Sequence, residues 1–139
     1  MRLIEVNEND YNFLYKLLKA RPEYCNISHV EMPTIEEHVR FIESKPYKAW
    51  YVIVIESTRM IGAVYLTRAN EIGIFLLEKY RNQGYGKQAI TRLMVRHPEK
   101  EYYANIAPTN QPSLAMFSKI GIPIQTTFRI KPLPECESA

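Results

Sequence analysis

Two spacings of apolar positions alternate along the chain, and together they outline a fold. Leu3 to Val6 reads as a short strand, after which Asn7, Asn9 and Asp10 offer helix caps. Leu14, Leu17 and Leu18 recur at helical spacing until Arg21-Pro22 stops the helix. Glu23 to Pro33 has no period and is expected to be a loop. Thr34-Ile35-Glu36-Glu37 then forms a capping box, in which hydroxyl and carboxylate each satisfy an orphan N–H. Ile35, Val39 and Ile42, with Phe41 at the edge, make the apolar stripe of a second helix that ends before Pro46. His38 shares that stripe, either as a core-margin histidine or as part of a pocket. Trp50 to Ile55 and Met60 to Leu66 are apolar runs joined through Glu56-Ser57-Thr58-Arg59, which predicts a hairpin. A third strand from Glu71 completes an antiparallel meander.

The second half repeats the alternation. A helix is expected over Lys87 to Arg96, with Ala89, Ile90, Leu93 and Met94 on one face, terminated by His97-Pro98. Tyr102 to Ala107 reads as a strand. Pro112 fits a first helical turn, Leu114 and Phe117 face inward, and Gly121 is placed to cap that helix. A final strand is expected over Gln125 to Lys131, followed by a loose tail.

Composition narrows the class. The chain has 139 residues, 46% hydrophobic and 24% charged, which suits a single domain with one core spanning 1–139. No apolar run approaches the ~20 residues that cross a membrane, and MRLIEVNEND does not resemble an export signal, so a cytoplasmic protein without membrane contacts is expected. Net charge is +3 with interspersed signs, which suits an anionic ligand and makes no case for nucleic acid. Cys25 and Cys136 form no metal-ligand spacing, so no metal is expected and both thiols should be reduced.

The chemistry concentrates in EIGIFLLEKYRNQGYGKQAITRLMVR, residues 71–96. An apolar run gives way to a polar connection with Gly84 and Gly86 and then to a helix start. The first N–H groups of a helix lack internal partners and lie at the positive end of its dipole, so this turn can hold an anion. Arg81 and Lys87 bracket it with positive charge. A side chain at 84 or 86 is expected to block a phosphate, so the reading is a phosphate or pyrophosphate cradle, against a plain structural turn. Neither the Walker A spacing nor a third dinucleotide-type glycine is present.

Arg81-Asn82-Gln83-Gly84-Tyr85-Gly86 resembles the Arg/Gln-x-x-Gly-x-Gly/Ala signature of the GNAT N-acetyltransferase superfamily. A second segment, Asn110-Gln-Pro-Ser113-Leu-Ala-Met-Phe117-Ser-Lys-Ile-Gly121-Ile, is similar to the family's Asn-x-x-(Ala/Ser)-x-x-(Leu/Met)-Tyr-x-x-x-Gly-Phe pattern. The order of elements is similar over nearly the whole chain. The resemblance implies an α/β (α+β) domain: a mixed, mostly antiparallel twisted sheet with about four helices, its strands splayed at a site for acetyl-CoA. It also implies that the pantetheine arm pairs with the backbone of Phe75, Leu76 and Leu77. Pyrophosphate would rest on the amides of Gln83, Gly84, Tyr85, Gly86 and Lys87, beside Arg81. Asn110, unless it is only a helix cap, would bond the pantetheine side, with Ser113 and Phe117 of its segment also on the cofactor side.

The activity so implied is transfer of acetyl from acetyl-CoA to a primary amine, with CoA as product. Acceptors of this kind are a protein N-terminus, an amino sugar, a polyamine or another small amine, entering between the 23–33 loop, the helix of His38 and the meander. Such transfer needs a neutral amine, a stabilised oxyanion and a proton for the thiolate. Glu71 is the candidate base, sharing a strand face with Gly73 and Phe75, against an exposed strand-end carboxylate. The chain departs from the family pattern at Phe117, where a tyrosine is frequent and phenyl cannot donate a proton. Tyr103 on the neighbouring strand, Ser113 or water are the alternatives. The same departure leaves open a non-catalytic acyl-CoA-binding module, while a turn that binds nothing would make the chain structural. Members of the family are often homodimers.

Overall fold

The computed structural model describes residues 1–22 and 31–134. Most of the 23–33 loop, with Cys25, and the tail, with Cys136, lie outside the described residues. The elements are β1 (Arg2–Glu5), a 3-10 turn (Glu8–Asp10), α1 (Tyr11–Lys19), α2 (Ile35–Glu43), β2 (Ala49–Ile55), β3 (Arg59–Leu66), β4 (Ile72–Leu76), α3 (Tyr85–Arg96) and α4 (Gln111–Ser118). The strands form one antiparallel sheet in the order β1-β2-β3-β4.

Local chemistry sets the boundaries. Thr34 and Glu37 form the expected box, with the Thr34 hydroxyl accepting from the Glu37 amide at 3.2 Å and the Glu37 carboxylate accepting from the Thr34 amide at 3.2 Å. Those bonds hold the Glu37 carboxyl below its ordinary range. At the β2–β3 turn, Glu56 and Ser57 both have positive φ, as a tight hairpin matched to strand twist requires.

Strand alternation sorts the sheet into two faces. On one, Ile53, Val64, Leu66 and Ile72 pack with Ala89, Ile90 and Leu93 of α3. On the other, Ala63 lies with Leu14, Leu17 and Ile42 of α1 and α2, joined by Trp50, Phe75 and Leu77. Leu93 and Ile90 are essentially fully buried. No helix among the described residues is long and apolar enough to cross a membrane.

Two expected strands do not form ladders. The Tyr102 to Ala107 segment makes a single parallel bridge, Glu71 with Tyr103. Gln125 to Lys131 is not a strand: residues 121–134 have no regular structure, and Ile122, Ile124, Phe128, Ile130 and Leu133 are each at least 70% exposed. Alternating apolar residues specify a strand only where an edge is available to pair with it, and no such pairing occurs here. Gly121 donates its N–H to Phe117 O at 2.9 Å but has no positive φ, so α4 ends without the left-handed glycine cap expected there.

Candidate functional site

The connection from β4 to α3 turns the chain sharply into a helix start. After a 3-10 turn over Glu78–Tyr80, Asn82 (φ 60°) and Gly84 (φ 85°) take left-handed conformations that bring the chain round to the helix start. α2 and α4 are capped by the side chains of Thr34 and Asn110, whereas α3 begins at Gly84 with no side-chain cap. Gln88 is the first residue of α3 to donate back along the helix, to Gly84 O at 3.2 Å. The N–H groups of Tyr85, Gly86 and Lys87 are left at the positive end of the dipole. Beside them is an open hollow of about 570 Å³, lined by Gly84, Lys87, Gln88, Thr91 and Arg92.

The two glycines have different roles, which corrects the expectation that both keep the cradle open. A Cβ on Gly84 would meet only Gln88 Nε2 at 4.0 Å, but its φ disfavours side chains. A Cβ on Gly86 would sit 3.1 Å from Met116 Sδ and 3.7 Å from Ile74 Cδ1, inside the contact between α3, α4 and β4. Gly86 is therefore a packing glycine, and a large residue there would disturb the core before it reached the cradle.

Backbone parity along β4 decides which groups face the open edge. Glu71 O accepts from Thr67 N at 2.9 Å and Leu77 N donates to Ile61 O at 2.9 Å, so odd positions face β3. Ile72 N donates outward to Tyr103 O at 2.6 Å, so Ile74 and Leu76 also face outward, past the single bridge where the neighbouring segment parts from β4. Pairing with a bound chain through Phe75 and Leu77 does not fit this ladder; Ile74, which sequence reasoning missed, and Leu76 have the right orientation. Strand parity was the signal that could have found Ile74. Leu76 O already accepts from Arg81 Nε at 3.1 Å, and the Arg81 guanidinium carbon lies 5.0 Å from the Phe75 ring centroid.

Glu71 and Tyr103 are neighbours through their backbones, but their side chains are engaged separately. The half-buried Glu71 carboxylate accepts from Thr67 Oγ1 at 3.3 Å and from Asn105 Nδ2, two groups that sequence reasoning did not single out. The Tyr103 hydroxyl donates to the Glu101 carboxylate, which raises its pKa and leaves it a weaker acid; the residue is 39% exposed. Asn110 does cap α4, its Oδ1 accepting from Ser113 N at 3.3 Å, and Phe117 packs with Met116 against the α3-side core. Gln83, exposed, donates Nε2 to Lys79 O at 2.9 Å.

The other face of β4 carries an aromatic wall. Tyr65 lies directly over Gly73, where a Cβ would fall 1.9 Å from its Cζ and 2.3 Å from its hydroxyl. Tyr47 stacks on Tyr65 with centroids 3.9 Å apart, and Trp50 meets Tyr47 edge-on at 4.8 Å. Burial and the Tyr65 hydroxyl push the Tyr47 pKa up, against a smaller opposing pull from Arg21. His38 is 6% exposed, its ring 5.5 Å from that of Tyr15, and its Nε2 has no hydrogen-bond partner among the described residues. Burial depresses its pKa.

The sequence matches the model of one family, the acetyltransferase (GNAT) domain, over residues 1–122. The chain belongs to the GNAT acetyltransferase family. Solved structures agree in fold. A domain from Methanocaldococcus jannaschii superposes with a TM-score of 0.73 at 20% identity, covering 92% of this chain and 91% of its own. A chimera of the Vibrio cholerae spermidine N-acetyltransferase SpeG with hSSAT gives 0.68 at 16% identity, with 87% and 81% covered. An N-acetyltransferase from Staphylococcus aureus Mu50 gives 0.67 at 19% identity, with 86% and 81% covered. Among curated proteins, none matches the chain. At these identities the likeness speaks for the GNAT fold, and the chemistry has to be argued from this chain's own residues.

Proposed function

We propose that this GNAT domain is an N-acetyltransferase that takes acetyl from acetyl-CoA and delivers it to a primary amine. The observation that carries the reading is the uncapped start of α3 at a left-handed Gly84, beside a hollow with Lys87 and Arg92 on its wall. The N–H groups of Tyr85, Gly86 and Lys87 would hold the pyrophosphate, and the outward backbone of Ile74 and Leu76 would pair with the pantetheine arm as an added strand. When bound, the cofactor supplies an activated thioester.

The protein's own part is to position, to deprotonate and to stabilise charge. Glu71, fixed by Thr67 and Asn105, accepts the proton that the amine loses as its nitrogen bonds to the acetyl carbon, through one water. The outward N–H groups of Ile74 and Leu76 are the donors at this edge for a developing oxyanion. Neither Phe117, which has no proton to give, nor the Tyr103 hydroxyl, which is committed to Glu101, would protonate the leaving thiolate, so that proton would come from solvent.

Calorimetric titration with acetyl-CoA tests the cofactor assignment, and absence of binding to the folded protein would refute it. Release of free CoA with an amine panel then tests catalysis. Phe117 and the engaged Tyr103 favour one second reading, a domain that binds acyl-CoA without turnover. That reading predicts binding and no CoA release with any amine.

A further inference from the structure

An apolar run that the fold leaves outside is matched by a stretch of backbone that it leaves unpaired. Beyond α4, Ile122, Ile124, Phe128 and Ile130 all fall at even positions, and all are exposed. Pro123, Gln125, Thr127 and Arg129 fall between them. In an extended chain this spacing gathers the large apolar side chains on one face, the pattern of a strand with one side against a core. Among the described residues none covers that face, since every position from 118 to 134 is exposed.

The unpaired backbone lies at 102–106. Tyr103 spends both main-chain groups on β4, donating to Asn70 O at 2.9 Å and accepting from Ile72 N at 2.6 Å. The N–H and C=O groups of Tyr102, Ala104 and Ile106 therefore point the opposite way, along an outer edge. Among the described residues, Ala104, Asn105 and Ile106 make no backbone hydrogen bond. Burial alternates along this edge: Tyr102, Ala104 and Ile106 are half-buried, whereas Tyr103 and Asn105 are exposed. The Tyr102 hydroxyl donates to His97 O at 2.6 Å at the end of α3, which places the half-buried set on the α3 side of the sheet. An edge of this kind accepts a further strand.

We propose that the apolar run of one copy pairs antiparallel with the 102–106 edge of a second copy, in a reciprocal strand-exchanged dimer. Residues that exchange hydrogen bonds across an antiparallel pair carry their side chains on the same face. Positions 124, 126 and 128 bonded to Ile106, Ala104 and Tyr102 thus bring Ile124 and Phe128 to the half-buried side. Pro123, which has no N–H, falls on the outer side of the added strand, where none is needed. Pro132 is even-numbered and ends the run. The occupant is a second copy because each chain exposes both run and edge, and two chains related by a twofold axis satisfy both at once. This assembly goes beyond the acetyltransferase reading and does not depend on it.

Sedimentation velocity of the full chain from about 1 to 100 μM should show a dimer of twice the 16.3 kDa chain mass. Ile124→Lys with Phe128→Lys should give a folded monomer, because neither side chain is packed within the single chain. Thr126→Pro removes an N–H aimed at the edge and Thr127→Pro one aimed at solvent, so the first should weaken dimerisation by about tenfold or more and the second by less than about threefold. A chain carrying Ala104→Cys and Thr126→Cys, with Cys25→Ser and Cys136→Ser, should oxidise to a covalent dimer. A wild type that stays monomeric, a dimer indifferent to the two lysines, or equal effects of the two prolines would overturn the proposal. So would a disulfide formed within one chain, which would assign the run to its own edge.

Discussion

The two faces of β4 are made from alternate residues of one five-residue strand and its flanks, yet they do different things. Toward α3 the strand presents Ile72, Ile74 and Leu76, all aliphatic, against Ala89, Ile90 and Leu93. Toward α1 and α2 it presents Glu71, Gly73, Phe75 and Leu77, a carboxylate, a gap filled by Tyr65, and a ring flanked by arginines. The first face is a packing surface with one chemical requirement, and its backbone edge together with the α3 N-terminus forms the proposed cofactor side. The second is heterogeneous, with each side chain placed by a different element. On the proposed reading β4 separates structure from specificity by parity, so substitutions on the two faces should separate cofactor binding from acceptor handling.

The largest effect should come from Gly84→Asp. Aspartate tolerates a positive φ better than most residues and would place a negative charge among the amides of Tyr85, Gly86 and Lys87. Acetyl-CoA affinity should fall by ~100-fold or more, on the order of 3 kcal/mol, with Tm within a few degrees of wild type. Gly86→Glu, two residues on, should lower Tm sharply through its clash with Met116. A stable Gly86→Glu variant would show that Met116 and its neighbours can yield to a side chain at 86, and the distinction between the glycines would be lost.

Next comes Glu71→Gln, which keeps the size of the side chain and one of the two accepted bonds from Thr67 and Asn105 but removes the base. Turnover should drop by about 10²-fold or more at neutral pH, recover in part at high pH where more amine is neutral, and leave acetyl-CoA affinity unchanged. An equal loss in both quantities would place Glu71 on the cofactor side. Gly73→Ala should act more mildly on the same face. The new methyl group must displace the Tyr65 ring, costing ~1–3 kcal/mol of stability and raising the acceptor KM several-fold while acetyl-CoA Kd holds. A shift in cofactor Kd without one in acceptor KM would reverse the assignment of the faces.

What the chain discloses before folding follows the same division. The turn into α3 is legible because the glycine spacing encodes a backbone conformation, and Thr34 with Glu37 encodes a helix start by local bonds alone. The meander is legible because period-two apolar runs of that length admit few alternatives. Asn105 beside Glu71, Tyr47 on Tyr65 and Arg21 over Phe75 join residues 34, 18 and 54 positions apart, and no local pattern announces such meetings. Residues 125–131 fail for a related reason: their alternation says strand, but pairing is a property of the partner edge. Phe75 and Leu77 were assigned to the cofactor edge by position in the motif, and only the hydrogen bonds to β3 show that their backbone points the other way.

The smallest effect concerns His38, which lies on the acceptor side of the sheet but faces the α1–α2 contact. Its imidazole is buried beside Tyr15, and burial depresses its pKa below the ordinary value near 6.5. The unfolded chain therefore binds a proton at a higher pH than the folded one. Stability is fully present above about pH 6.5, declines as pH falls below that value while the unfolded state gains its proton, and levels off once pH has passed the folded value. His38→Phe, which keeps an aromatic ring beside Tyr15, should flatten the Tm profile between pH 7.5 and 5.5 without changing acetyl-CoA affinity. If the variant followed the wild-type profile, acid sensitivity would belong to other groups. If it changed acceptor KM as well, the acceptor site would extend into the α1–α2 contact, and the wall of Tyr47 and Tyr65 would no longer mark its limit.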